Sequence, residues 1–166
     1  IFWVWGDTGK PSYPLGNFAT SGATSDLPGK GGPDPSMGID LTYFNDETGF
    51  SKKMCPVDGP GPVWIHWLTV LKDSSGKERL YASWTRVKTL GENYEQGLAL
   101  FNDSAEIFEP ILRFPLNSPF FPDGHSFRAL VNGQEYIYFD GTNRYPVRVK
   151  ADPEHICDLS VYESFT

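Results

Sequence analysis

Val63-Trp64-Ile65-His66-Trp67-Leu68-Thr69-Val70-Leu71 is the stretch whose reading decides the fold. It is aliphatic, aromatic or β-branched almost throughout, which predicts a strand covered on both faces. Asp73-Ser74-Ser75-Gly76 supplies a turn, and Arg79-Leu80-Tyr81-Ala82-Ser83-Trp84-Thr85-Arg86 returns as a second strand. Residues 97–103 form a third, closing on an Asn-Asp turn, and residues 107–114 a fourth. Pro110 cannot donate to a ladder, so the fourth strand belongs at an edge. Four antiparallel strands grading from buried to solvated describe a propeller blade.

Toward the N-terminus, Ile1-Phe2-Trp3-Val4-Trp5-Gly6-Asp7-Thr8 is a strand of bulky residues that ends abruptly. Residues 9–37 are dominated by Gly, Pro, Ser and Thr and read as one long loop, a length that usually carries function or disorder. Strands are expected again over 38–46 and 50–55. Phe44-Asn45-Asp46 repeats Phe101-Asn102-Asp103 at an offset of 102 − 45 = 57 residues, which suggests a shared turn closed by an Asn or Asp side chain. Toward the C-terminus, residues 125–131 and 135–139 flank Asn132-Gly133, a hairpin dipeptide. Strands are expected over 147–150 and 156–165.

The expectation is therefore an all-β chain: a partial β-propeller of about three consecutive antiparallel blades. Residues 1–58 form an incomplete blade without its innermost strand, 59–117 a complete one and 118–166 a third. Three blades do not close a ring. The chain reads as a piece of a larger propeller that needs its remainder, or a partner copy, to cover its flanks.

Composition agrees: among 166 residues, 39% hydrophobic with 17 Gly and 14 Pro, no long stretch has helical period with caps. A net charge of −7 without a basic patch argues against nucleic-acid binding, and no apolar run approaches membrane-spanning length. Cys55 and Cys157 fall in non-adjacent units, which favours free thiols over a disulfide. Asp34, Asp40 and Asp46 lack the spacing of a Ca²⁺ loop, so no cofactor is expected and a Ca²⁺ ion stays open without support.

Trp5-Gly6-Asp7-Thr8 at the end of a hydrophobic strand resembles the Trp/Phe-Gly-Asp-Thr signature of secreted bacterial five-bladed propellers. Those are related to glycoside hydrolases acting on furanose-rich glycans such as arabinan. Gly61-Pro62-Val63-Trp64 followed by Glu78-Arg79-Leu80-Tyr81 is similar to that group's next blade. The resemblance implies a secreted or periplasmic setting, a polysaccharide or oligosaccharide partner, and catalytic carboxylates on the innermost strands around a central funnel.

Glycoside hydrolysis needs two carboxyl groups, about 5–5.5 Å apart for retention or about 6.5–9.5 Å for inversion. Asp7, Asp123 and Glu95 are the catalytic candidates, with Asp7 and Asp123 expected to face each other across the funnel. His66, Arg86, His125, Asp140 and Arg144 are the substrate-binding candidates, placed by blade topology on the same face. Each has a plain structural reading too. Asp7, Asp123 and Asp140 adjoin glycines as turn residues do; Glu95 suits a solvated loop; His66 suits a satisfied core histidine. Three functions stay open: a hydrolase or lyase-like enzyme on an acidic or furanose-rich glycan, a non-catalytic glycan-binding propeller, and a structural interaction module.

Overall fold

The structure is a computed structural model that describes residues 1–8, 19–32, 34, 36, 38–140 and 145–165. It is all-β, built from three antiparallel sheets. The first joins β1 (Phe2–Thr8), β2 (Ala19–Thr24) and β3 (Thr42–Tyr43) in that order. The second joins β4 (Val63–Lys72), β5 (Glu78–Thr89), β6 (Glu92–Asn102) and β7 (Ile107–Phe114) as a meander. The third joins β8 (Ser126–Val131), β9 (Gln134–Asp140), β10 (Pro146–Lys150) and β11 (Glu163–Ser164).

The second sheet organises the molecule because its two neighbours pack on opposite faces. On one face Trp67, Tyr81, Leu98 and Phe114 join Phe121, Ile137, Phe139 and Val149 of the third unit. On the other, Trp84, Ala99 and Phe108 join Phe44, Met54 and Cys55, with Phe2 packed against them. The doubly covered strand is β5, where Tyr81, Ala82, Ser83, Trp84 and Thr85 are all buried, and not β4, which is an edge strand with alternating burial. Its run of apolar residues misled because Trp64 and Ile65 are only half buried. Pro110 does sit on the opposite edge strand, next to a bulge at Ile111.

Gly97 on β6 allows a close approach to β7 and to Trp84 within the sheet itself. A Cβ on Gly97 would fall 2.0 Å from the carbonyl oxygen of Leu112 and 3.0 Å from the Trp84 ring. Thr20 ties the first sheet to the second: its buried hydroxyl accepts from the backbone N–H of Ile65 at 3.0 Å.

Four further expectations need correction. The strand expected over 38–46 shrinks to β3, Thr42–Tyr43. The long loop over 9–37 contains β2, which buries Ala19 through Ala23 although its sequence, Ala-Thr-Ser-Gly-Ala-Thr, has no bulky apolar residue. Residues 50–55 form no strand, only an isolated bridge between Asn45 and Ser51. The strand expected over 156–165 shrinks to β11. Before it, the Asp152 side chain accepts from the N–H groups of Glu154 and His155, capping the short helix α1 (Pro153–Ile156) with Pro153 in its first turn. A 3-10 turn over Leu159–Val161 follows, capped by Asp158.

The repeated Phe-Asn-Asp triplets are not equivalent. Asn102 closes its turn by accepting from the N–H groups of Ser104 and Ala105. In the first copy the neighbouring residue, Asp46, does so, accepting from Thr48 and Phe50. The two phenylalanines instead meet across the interface, Phe44 and Phe101 with ring centroids 5.8 Å apart.

Both cysteines are free thiols, Cys55 buried and Cys157 exposed. Burial pushes the Cys55 thiol up to about 12.

Phe108 is fully buried where the first two sheets meet. Phe108→Ala should cost about 3–5 kcal/mol of stability, read as a lower urea midpoint at unchanged slope. Gly97→Ala should destabilise strongly as well, since the obstructing atom is backbone. A Gly97→Ala protein of wild-type stability would disprove this packing.

Candidate functional site

One open cleft of about 610 Å³ gathers polar side chains against aromatic ones. Its walls come from the start of β4, the long hairpin of β5 and β6, and the connection from β7 to β8. The meander accounts for this coincidence, because the hairpin between its second and third strands opens at the end where the first strand enters.

His66 is placed by a bulge. Pairing passes from Ile65 with Trp84 to Trp67 with Ser83, which leaves His66 as the inserted residue. Bulges re-aim side chains. Here the imidazole reaches Thr85, which is not its ladder partner, with Nε2 2.7 Å from the hydroxyl. Nδ1 lies 3.6 Å from a carboxylate oxygen of Asp123, and the Phe121 ring meets the imidazole edge-on. Burial lowers the His66 pKa below its ordinary value, and the Asp123 carboxylate opposes that shift without cancelling it. His66 is neutral at pH 7. With N–H on Nδ1 facing Asp123, Nε2 accepts the Thr85 proton.

Asp123 lines the cleft, with its side chain 60% exposed. Its backbone N–H reaches the carbonyl of Asp140 at 3.4 Å, so Asp140 lies at the same end of the third sheet, exposed at the end of β9. His125 is exposed just before β8. Arg144 lies outside the described residues.

The other candidates stand apart from the cleft. Asp7 is exposed in a bulge of β1, where Gly6 and Asp7 lie opposite Thr20 alone, and its φ of 46° is left-handed. Neither Asp7 nor Glu95 is among the residues lining the cleft. Glu95 is no loop residue, because β5 and β6 extend until only Leu90 and Gly91 separate them. It is clamped between two arginines: Arg86 Nε donates to one carboxylate oxygen and Arg113 Nε to the other, each at 2.7 Å. Arg86 also donates to the Pro60 carbonyl at 2.8 Å and covers the Tyr94 ring. Burial pushes the Glu95 carboxyl up, but the hydrogen bonds from Arg113 and Arg86 outweigh it and hold the carboxyl below the usual range. A carboxylate held so is a brace between strands and a poor proton donor.

Sequence reasoning missed Thr85, Glu92, Asn93 and Gln96, all of which line the cleft. Glu92 is paired with Lys88 at 2.9 Å, and the Gln96 side chain donates to the Pro115 carbonyl at 2.9 Å. Among the described residues, no group of three or more His, Cys, Asp or Glu is arranged to hold a metal ion. No helix among them is long and apolar enough to cross a membrane.

Glu95→Gln should lower stability on the order of 1–2 kcal/mol near neutral pH, because Arg113 is exposed and only Arg86 is well buried. The sign with pH follows from the depressed carboxyl. The contribution is complete above the ordinary carboxylate value of about 4.3 and is lost as pH falls through the folded value. Denaturation curves of wild type and variant should therefore converge in acid; a gap that widened there would exclude the clamp.

No protein-family model matches the chain, and no curated protein matches it, so the cleft is interpreted from its own side chains.

Proposed function

We propose that the chain is part of a secreted, glycoside-hydrolase-like β-propeller, its three sheets acting as consecutive blades, and that its cleft holds a polysaccharide or oligosaccharide by recognition without cleavage. The carrying observation is the cleft's composition. Asp123 offers a carboxylate that no arginine among the described residues clamps, Asn93 offers an amide, and the half-buried Trp64 offers ring surface. A sugar presents hydroxyls at its rim and C–H groups on its faces, and these two kinds of surface match it.

Recognition is better supported than hydrolysis. Two carboxyls must act on one bond, and of Asp7, Asp123 and Glu95 only Asp123 lines the cleft. The second carboxylate in the cleft, Glu92, is already paired with Lys88. With Lys88 neutralised and Asp123 exposed, the cleft favours neutral furanose-rich chains over uronic acids, whose charge Asp123 would repel.

Calorimetry with linear arabino-oligosaccharides, with reducing-end release assayed in parallel, tests the reading. Binding should be detectable, and Asp123→Asn should weaken it about tenfold, the effect of losing about 1.4 kcal/mol from a charged hydrogen bond. Asp7→Asn should change nothing. Absence of heat with arabino-, galacto- and cello-oligosaccharides would refute glycan recognition, whereas new reducing ends that vanish in Asp123→Asn would establish a hydrolase instead.

A further inference from the structure

His66 and Asp123 are neighbours that do not quite bond, and that gap carries a consequence. The 3.6 Å between Nδ1 and the carboxylate oxygen is longer than a charge-assisted hydrogen bond, which closes to about 2.7–2.9 Å. The imidazole is 25% exposed and the carboxylate 60%, so the pair sits at the cleft's lip with Asp123 toward solvent. We propose that His66 is a proton-controlled specificity element of the cleft: while neutral it leaves Asp123 free to accept hydroxyls of an uncharged polyol, and when protonated it draws the carboxylate into an ion pair and withdraws it from the ligand. This rests on the glycan reading for its ligand, and on the geometry alone for its switch.

Thr85 holds Nε2 in either protonation state: its hydroxyl, 2.7 Å away, donates to a bare nitrogen and accepts from a protonated one. The uncharged Phe121 ring packs on the imidazole from the connecting segment. Among the described residues, Asp123 is the charged group that faces His66. Lys88 on β5 and Glu92 on β6 line the same cleft but pair with each other at 2.9 Å. Protonation turns Nε2 into a donor that Thr85 can still accept, and leaves Nδ1 charged beside Asp123. At neutral pH the imidazole is uncharged, since burial has lowered its pKa below 6.5. The carboxylate is thus available at pH 7 and lost to ligand as pH falls through the folded value.

Magnetic-resonance titration of the imidazole nitrogens and the Asp123 carboxyl carbon tests the switch on the whole chain without ligand. His66 should titrate below free histidine, and the Asp123 signal should move in the same step. Asp123→Asn should lower the His66 midpoint further, since the carboxylate opposes the effect of burial. A His66 that titrates at or above free histidine, or an Asp123 signal blind to it, overturns the proposal. With arabinotriose as probe, affinity should fall at least tenfold from neutral to acidic pH in wild type and stay nearly flat in His66→Gln, with thermal melts checking that the variant folds. Binding that ignores pH in wild type overturns the gate. Expected titrations with no arabinotriose binding at any pH overturn the ligand class and the glycan reading, leaving the proton-driven closure of the pair established.

Discussion

Everything in this molecule depends on one sheet being buried from both sides. A sheet with a single covered face can alternate apolar and polar residues, but β5 has no solvent face between Tyr81 and Thr85. The chain solves the resulting crowding by size. Ala82, Ser83 and Ala99 are small and fully buried in the middle sheet, and Trp84, Phe108, Trp67 and Phe114 fill the space beside them. Interiors packed to crystal density tolerate little change in volume. The outer sheets are accordingly set by the middle one, and the cleft, whose walls belong mostly to that sheet, inherits its rigidity.

That dependence explains what the amino-acid order reveals and what it hides. The hairpins of the second and third sheets are legible because their signals are local: Asp73 to Gly76 and Asn132-Gly133 are turn chemistry between apolar runs. Strand β2 is illegible for the complementary reason. Its Ala, Ser, Thr and Gly residues are selected by the lack of room beneath Met54 and Trp3, as at Gly22, where a Cβ would meet both at 3.1 Å. Smallness without bulk reads as loop when the neighbours are unknown. The chain before β11 is helical because Asp152-Pro153 is a helix start, a capping side chain followed by proline.

The site divides along the same line. His66 and Asp123 are each recognisable as residue types that bind or titrate, but their pairing joins a strand to a distant connecting segment and depends on a bulge that no spacing rule announces. Glu95 shows the converse. It was recognisable as an acid, yet its ladder partner Arg86 and cross-strand neighbour Arg113 commit it to holding strands together. Paired charges brace the sheet and the less constrained carboxylate faces the cleft, a separation that only three-dimensional neighbours can make.

The burial of Cys55 gives the molecule a built-in reporter. The thiol lies in the seam between the first two sheets, and burial holds it protonated at a pH where Cys157, at the surface, can be reached. Only a thiolate reacts with alkylating reagents. Cys157 lies on an exposed residue, and although partial burial raises its thiol too, it can label without the seam opening, whereas Cys55 waits until the first sheet lifts from the second. The interval between the two modifications measures how often that seam breathes, independently of unfolding at the seam with the third sheet.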